Sequence, residues 1–153
     1  MSSDHAPYRL RGPNGKMAHG ESAPFTKIPN GVPGLELRLP LLFSEGVRRG
    51  RLTPQQFVAL VATNPAKVFG LFPRKGTIAI GADADLVVWD PDRSVTVSHA
   101  VLHDVMDYTP YEGMPVTGWP LTTVSRGDVV WHDGVVSGEP GRGRFVVRAP
   151  VSV

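Results

Sequence analysis

Cysteine is absent from this chain of 153 residues. That excludes a disulfide framework and any thiolate metal site, and it fits a reducing compartment. No apolar run approaches the ~20 residues of a membrane span. The opening residues Met1 to His5 carry neither a basic segment nor an apolar stretch of the secretory kind. Charge of one sign is also lacking: 16 Lys and Arg stand against 14 Asp and Glu, a net +2. Blocks of basic residues interleaved with aromatics do not occur, so nucleic-acid binding is not expected. These absences lead to an expectation of a soluble cytoplasmic protein with no membrane and no nucleic-acid partner.

What is abundant is punctuation. There are 17 Gly and 15 Pro, well above the usual share of roughly 12% for the two together. Long helices should therefore be few. With 41% apolar and 20% charged residues, the chain has the composition of a globular domain and not of a disordered one. It is too short for a complete eight-stranded α/β barrel, which needs ~250 residues.

From Met1 to about Pro33 the pattern is irregular, with Gly12-Pro13-Asn14-Gly15 and Pro29-Asn30-Gly31-Val32-Pro33-Gly34 as its densest turns. A loop of that length inside a compact domain is commonly functional. Three helices are predicted next. The first carries Leu37, Leu41, Leu42 and Val47 and ends at Gly50; the second opens on the capping box Thr53-Pro54-Gln55-Gln56 and carries Phe57, Leu60 and Val61. The third starts at Asn64-Pro65 and closes at Gly70. After Pro73 the period changes to two. Strands are predicted over Thr77–Ile80, Asp85–Asp90, Val95–Val97, Leu121–Val124 and Val129–Trp131, and Asp133-Gly134 marks a hairpin into Val135-Val136. Helices followed by strands, with only a loop before them, leave the stripe of Leu41, Leu42, Phe57 and Leu60 without a sheet to cover. Self-association of the chain, or poor folding of roughly its first 70 residues, is the expected result.

Several residues could carry chemistry. Asp4-His5 offers a carboxylate and an imidazole at the head of the long loop, suited either to a metal or proton-transfer site or to a plain turn cap beside a surface histidine. His99 and His103 lie four apart near Asp104 and Asp107, but the surrounding pattern is not helical, which favours a loop histidine and a packed one. Gly81-Ala82-Asp83-Ala84-Asp85 lacks the further oxygen ligands of a calcium loop and reads as a turn feeding a strand. Arg142 and Arg144 read as tail residues that pair with carboxylates or with a neighbouring subunit. Pro29 to Gly34 has a backbone fixed by two prolines, able to present main-chain N–H and C=O groups to a small polar ring at low ordering cost, or simply to turn.

Taken together, these blocks resemble the C-terminal third of cyclic amidohydrolases of the dihydropyrimidinase and D-hydantoinase family. The resemblance is carried by Ser3-Asp4-His5-Ala6-Pro7, Phe25-Thr26-Lys27-Ile28 running into Pro29 to Gly34, Arg38 to Phe43, Ala62 to Lys67, Pro73 to Ile78, Asp83 to Val87, Asp107 to Met114, Gly118-Trp119-Pro120 and Gly138 to Phe145. Arg9 to Ser22 is the least family-like stretch.

The resemblance implies an α/β fold: the last strand and closing helices of a (β/α)8 metal-dependent barrel over residues 1–72, then strands of a composite β-sandwich over 73–153. It implies hydrolytic ring opening of dihydropyrimidines or 5-substituted hydantoins at a C–N bond. It casts Asp4 as a metal ligand and catalytic proton carrier, and Asn30 as the residue whose backbone contacts the cyclic amide. The implied cofactor is a dinuclear divalent metal centre, zinc by family habit. The other family ligands, a His-x-His pair, a carboxylated Lys and two further His, are not found here, and His19, His99, His103 and His132 fall on none of those positions. The site is therefore expected to be incomplete and the chain alone silent. Its expected partners are copies of itself or a complementing N-terminal polypeptide, and a non-catalytic assembly protein of the same descent is the competing reading.

Overall fold

A computed structural model describes residues 5–150. The loop expected ahead of the helices is present from His5 onward, broken only by a 3-10 turn at Phe25–Lys27. Helix α1 (Arg38–Leu42) runs without interruption into a π-helical turn, Phe43–Arg48. Helix α2 (Pro54–Val58) likewise continues through a π-helical turn, Ala59–Thr63, into α3 (Asn64–Val68). One antiparallel sheet follows, in the order β1 (Leu86–Thr96), β2 (Pro115–Ser125), β3 (Asp128–His132), β4 (Val135–Val136), with a 3-10 turn at His99–Val101 between β1 and β2.

The local signals act where they are written. The Thr53 hydroxyl accepts from the Gln56 N–H at 3.2 Å, and the Gln56 side-chain oxygen accepts from the Thr53 N–H at 2.8 Å, closing the capping box. At the end of the first helical segment the Gly46 carbonyl takes both the Arg51 and Leu52 amides, at 2.8 and 3.0 Å. The hairpin between β3 and β4 pairs Trp131 with Val136 and His132 with Val135, around Asp133-Gly134.

Three expectations change. The break anticipated at Asn64-Pro65 does not occur, and α2 and α3 form one continuous helical run. Pro65 has no N–H to return to the carbonyl four residues back and its ring crowds that carbonyl; the wider π turn just before it relieves both. Thr77–Ile80 is not a strand: it forms an irregular loop with Ile78 and Ile80 88% and 108% exposed. β-branched residues favour a strand only where a neighbouring ladder receives them, and among the described residues β1 pairs with β2 alone. Phe57 does find cover, being buried. Leu41, Leu42 and Leu60 are half-buried.

The cover comes from β1. Trp89 reaches up to Phe43 and Phe57, with ring centroids 5.0 and 5.9 Å apart, and Phe43 meets Phe57 edge-on at 5.5 Å. Each such aromatic pair is worth ~0.5–1.5 kcal/mol beyond its buried area. The two strands predicted over 85–90 and 95–97 are one long strand, kinked where Pro91, Asp92 and Arg93 stand opposite Gly118 alone. The Asp90 carboxylate holds that bulge by accepting from the Asp92 and Arg93 amides. A second core lies beside it, where Leu37, Val97, Val116 and Trp119 are buried together. Leu37 therefore ties the loop that precedes α1 directly to the sheet.

Candidate functional site

The long loop is ordered by contacts from far along the chain. Both oxygens of the Asp107 carboxylate accept backbone N–H groups, from Leu10 at 2.7 Å and Arg11 at 3.0 Å. Those two amides, the Leu10 one foremost, hold the Asp107 carboxyl below its usual range. The loop then doubles back: the Lys16 and Met17 amides donate to the Arg9 and Leu10 carbonyls, each at 2.9 Å. From this platform the Lys16 ammonium reaches the Pro29 carbonyl at 2.6 Å. An open cleft of about 480 Å³, lined by Tyr8, Asn14, His19, Lys27 and Pro29 among others, opens beside it.

Asn30 is exposed, and among the described residues its N–H has no hydrogen-bond partner. Next to it, Gly31 adopts φ +101° and lies so close to Ala6 that a Cβ there would meet the Ala6 carbonyl oxygen and methyl group. Only glycine suits that position, by conformation and by space. The contact sets the residue after Asn30 directly against Ala6. Asp4 itself lies outside the described residues. His5 is half-buried, and its ring Nδ1 is a buried polar atom without a partner among the described residues.

On its other side the segment is held through Glu36. The Glu36 carboxylate accepts from the His103 backbone N–H and pairs with His103 Nδ1, both at 2.8 Å. Glu36, and next the Gly134 backbone, raise the His103 pKa above its ordinary 6.5. His99 is occupied separately, with its N–H and ring Nδ1 both on Glu112 Oε2 at 2.9 and 3.0 Å. The His99 backbone N–H is the main cause, ahead of the Ser98 and His99 side chains, that brings the Glu112 carboxyl down to about 2. The two histidines four apart thus serve different glutamates, and neither is buried as the packed one was expected to be. Tyr108 has a buried hydroxyl with no partner among the described residues, and burial is the first cause that pushes its phenol pKa up.

Among the described residues no group of three or more His, Asp or Glu side chains converges on a point. A zinc site is built from three or four protein ligands, so the residues described do not by themselves fit one. Of the two tail arginines, Arg142 finds a carboxylate as expected. Arg142 pairs with Asp128 at 2.8 Å and donates to the Ser125 carbonyl at 2.5 Å. Loop 74–85 is tied by Arg74 and Lys75 to Asp83 and by Lys75 to Asp85.

Residues 1–130 match the amidohydrolase family as a whole. The chain belongs to that family. It is 48% identical over 149 residues to the D-hydantoinase of Geobacillus stearothermophilus, covering 97% of this chain and 31% of that one. It is 46% identical over 148 residues to the D-hydantoinase of Ralstonia pickettii, with the same coverage of 97% and 31%. Among solved structures, the dihydropyrimidinase from Brevibacillus agri superposes with a TM-score of 0.90 at 44% identity, over 99% of this chain and 32% of that one. The chain thus spans about a third of the length of these amidohydrolase relatives, and over that third it shares their fold. The resemblance read from the residue blocks is borne out, as is a partial, hydantoinase-type protein.

Sequence reasoning singled out Asn30 but missed Lys16 and Asp107 as the supports of its loop. Lys16 lies in the least family-like stretch, and Asp107 is 97 residues from its partner Leu10. The Asp107-Tyr108-Thr109-Pro110 block was visible as a motif; nothing local told what it held.

Proposed function

We propose that this chain supplies the ring-binding loop and one catalytic carboxylate of a hydantoinase-type hydrolase that opens cyclic amides, dihydropyrimidines or 5-substituted hydantoins, at a ring C–N bond. In this reading residues 1–72 close a metal-dependent barrel, and 73–153 contribute strands to the adjoining sandwich. The carrying observation is the loop at Asn30: exposed, with an N–H that has no partner among the described residues, and wedged through Gly31 onto Ala6.

A cyclic amide shows a carbonyl acceptor beside an N–H donor. The Asn30 N–H and C=O are the complementary pair, set on a backbone stiffened by Pro29 and Pro33. Hydrolysis adds hydroxide to the ring carbonyl carbon, breaks its bond to the ring N–H, and leaves a carboxylate and, once that nitrogen is protonated, an NH2 group. Asp4 takes the proton released by the attacking water and returns it to the departing nitrogen. Asp4 is also proposed as one ligand of a divalent metal centre, zinc by family habit, whose remaining ligands other polypeptide must supply, as must any oligomeric partner. Alone, the 153 residues are expected to be inactive.

The test is replacement of the corresponding third of the Geobacillus stearothermophilus enzyme by these 153 residues. The chimera is expected to hydrolyse dihydrouracil or hydantoin, and Asp4→Asn to abolish turnover while leaving the fold intact. A folded chimera without activity, beside an active parent, would refute the proposal. Capture of a full-length relative with no gain in turnover would favour the assembly role instead.

A further inference from the structure

We propose that Lys16 is a positioning residue for ring binding: by holding the Pro29 carbonyl it sets the plane of the Pro29–Asn30 peptide, and so the direction in which the Asn30 N–H is offered. The inference rests on the reading of Asn30 given above and goes further by naming what aims it.

The Pro29–Asn30 peptide unit is planar and trans, so the Pro29 carbonyl and the Asn30 N–H are opposite ends of one rigid group. Fixing the oxygen fixes the hydrogen. The Lys16 ammonium sits 2.6 Å from that oxygen in a partly buried contact, and among the described residues no backbone N–H competes for it. A peptide in an irregular loop is otherwise free to rotate between the proline and the following residue. Here the ring of Pro29 fixes φ and leaves ψ as the torsion that turns the next peptide, and the close approach of Gly31 to Ala6 restrains the far side. Lys16 supplies the third point.

The lysine is itself well placed to do this. Its backbone N–H is held by Arg9, its neighbour Met17 by Leu10, and the Leu10 and Arg11 amides by Asp107. A surface lysine on a free chain would lose much rotamer entropy in reaching one carbonyl; one raised on a pinned turn loses less. The positive charge also has a chemical effect. A cation bonded to an amide oxygen draws electron density through the C–N bond and makes the N–H at the far end a stronger donor. A donor aimed at a ring carbonyl gains from both orientation and polarisation. Because that contact exists in the bound substrate and in the transition state alike, its loss should appear in KM and spare kcat.

The experiment uses the whole 153-residue chain in the chimera described above. Lys16→Met is expected to raise KM for dihydrouracil about tenfold with kcat within twofold, Lys16→Arg to keep KM near wild type, and Lys16→Gln to fall between. In the isotope-labelled chain alone, Lys16→Met should shift the Pro29 carbonyl carbon and Asn30 amide nitrogen resonances while the Leu10 and Arg11 amides stay in place. An active chimera whose KM ignores Lys16→Met overturns the assignment of Lys16 and leaves that of Asn30 standing. So does a loss of kcat alone. A folded, inactive wild-type chimera overturns both.

Discussion

Gly118 is where the helices are locked to the sheet, and Gly118→Ala measures how tightly. The residue has φ +99° opposite the β1 bulge, and a methyl group built on it would enter the ring of Phe43 and stop 3.0 Å from Trp89 Nε1. Two costs add. An L side chain in a left-handed conformation costs ~1–2 kcal/mol, and forcing an extra carbon into a packed aromatic cluster costs ~1–3 kcal/mol. Together they give ~2–5 kcal/mol. At ~2–4 °C per kcal/mol for a chain of this size, the thermal midpoint should fall by at least several degrees. The matched control is Gly127→Ala, at φ +89° with no atom within 4 Å of the added methyl. It carries the strain without the clash. Thermal unfolding of both variants by circular dichroism isolates the packing term as the difference between them. If Gly118→Ala loses no more than Gly127→Ala, then Phe43 and Trp89 yield freely and the tight docking described for this cluster is wrong.

Other perturbations follow from single contacts. Thr53→Ala removes the hydroxyl of the capping box and should cost ~1 kcal/mol in urea unfolding, whereas Thr53→Ser should cost little. His103 has its pKa raised by Glu36, so the pair stabilises the fold fully below the ordinary 6.5 and loses that contribution as pH rises through the elevated value. An NMR titration should place His103 above 6.5, and Glu36→Gln should bring it back toward 6.5; an unmoved titration would contradict the pairing. Glu112, lowered from 4.5 to about 2, acts in the opposite sense. Its contribution is complete above 4.5 and is lost as pH falls toward 2, so its side-chain carboxyl resonance should still report the ionised form at pH 3.

The features legible in the residues were those whose cause lies within a few positions. Thr53 and Gln56 cap a helix because they are three apart; Asp133-Gly134 turns a hairpin because the dipeptide accepts positive φ, seen as 42° and 88°. The ordered blocks from Ser3 to Phe145 pointed to the amidohydrolases for the same reason, since each is a local string. The same kind of reasoning failed at Thr77–Ile80, where a strand-forming string has no neighbouring strand to pair with among the described residues, and at Asn64-Pro65, where a π turn absorbs the proline.

By itself, then, the sequence determined the caps, the turns, the hairpin, the family and Asn30 as a residue of interest. Only the tertiary structure decided that Trp89 covers Phe43 and Phe57, that Asp107 pins Leu10 and Arg11, that Glu36 and Glu112 divide the two histidines, and that Lys16 grips Pro29. Those pairings join residues 13 to 97 positions apart. A hydrogen bond or ring contact at that separation forms only after the intervening chain has closed, and no propensity, period or short spacing records which groups the closure will bring together.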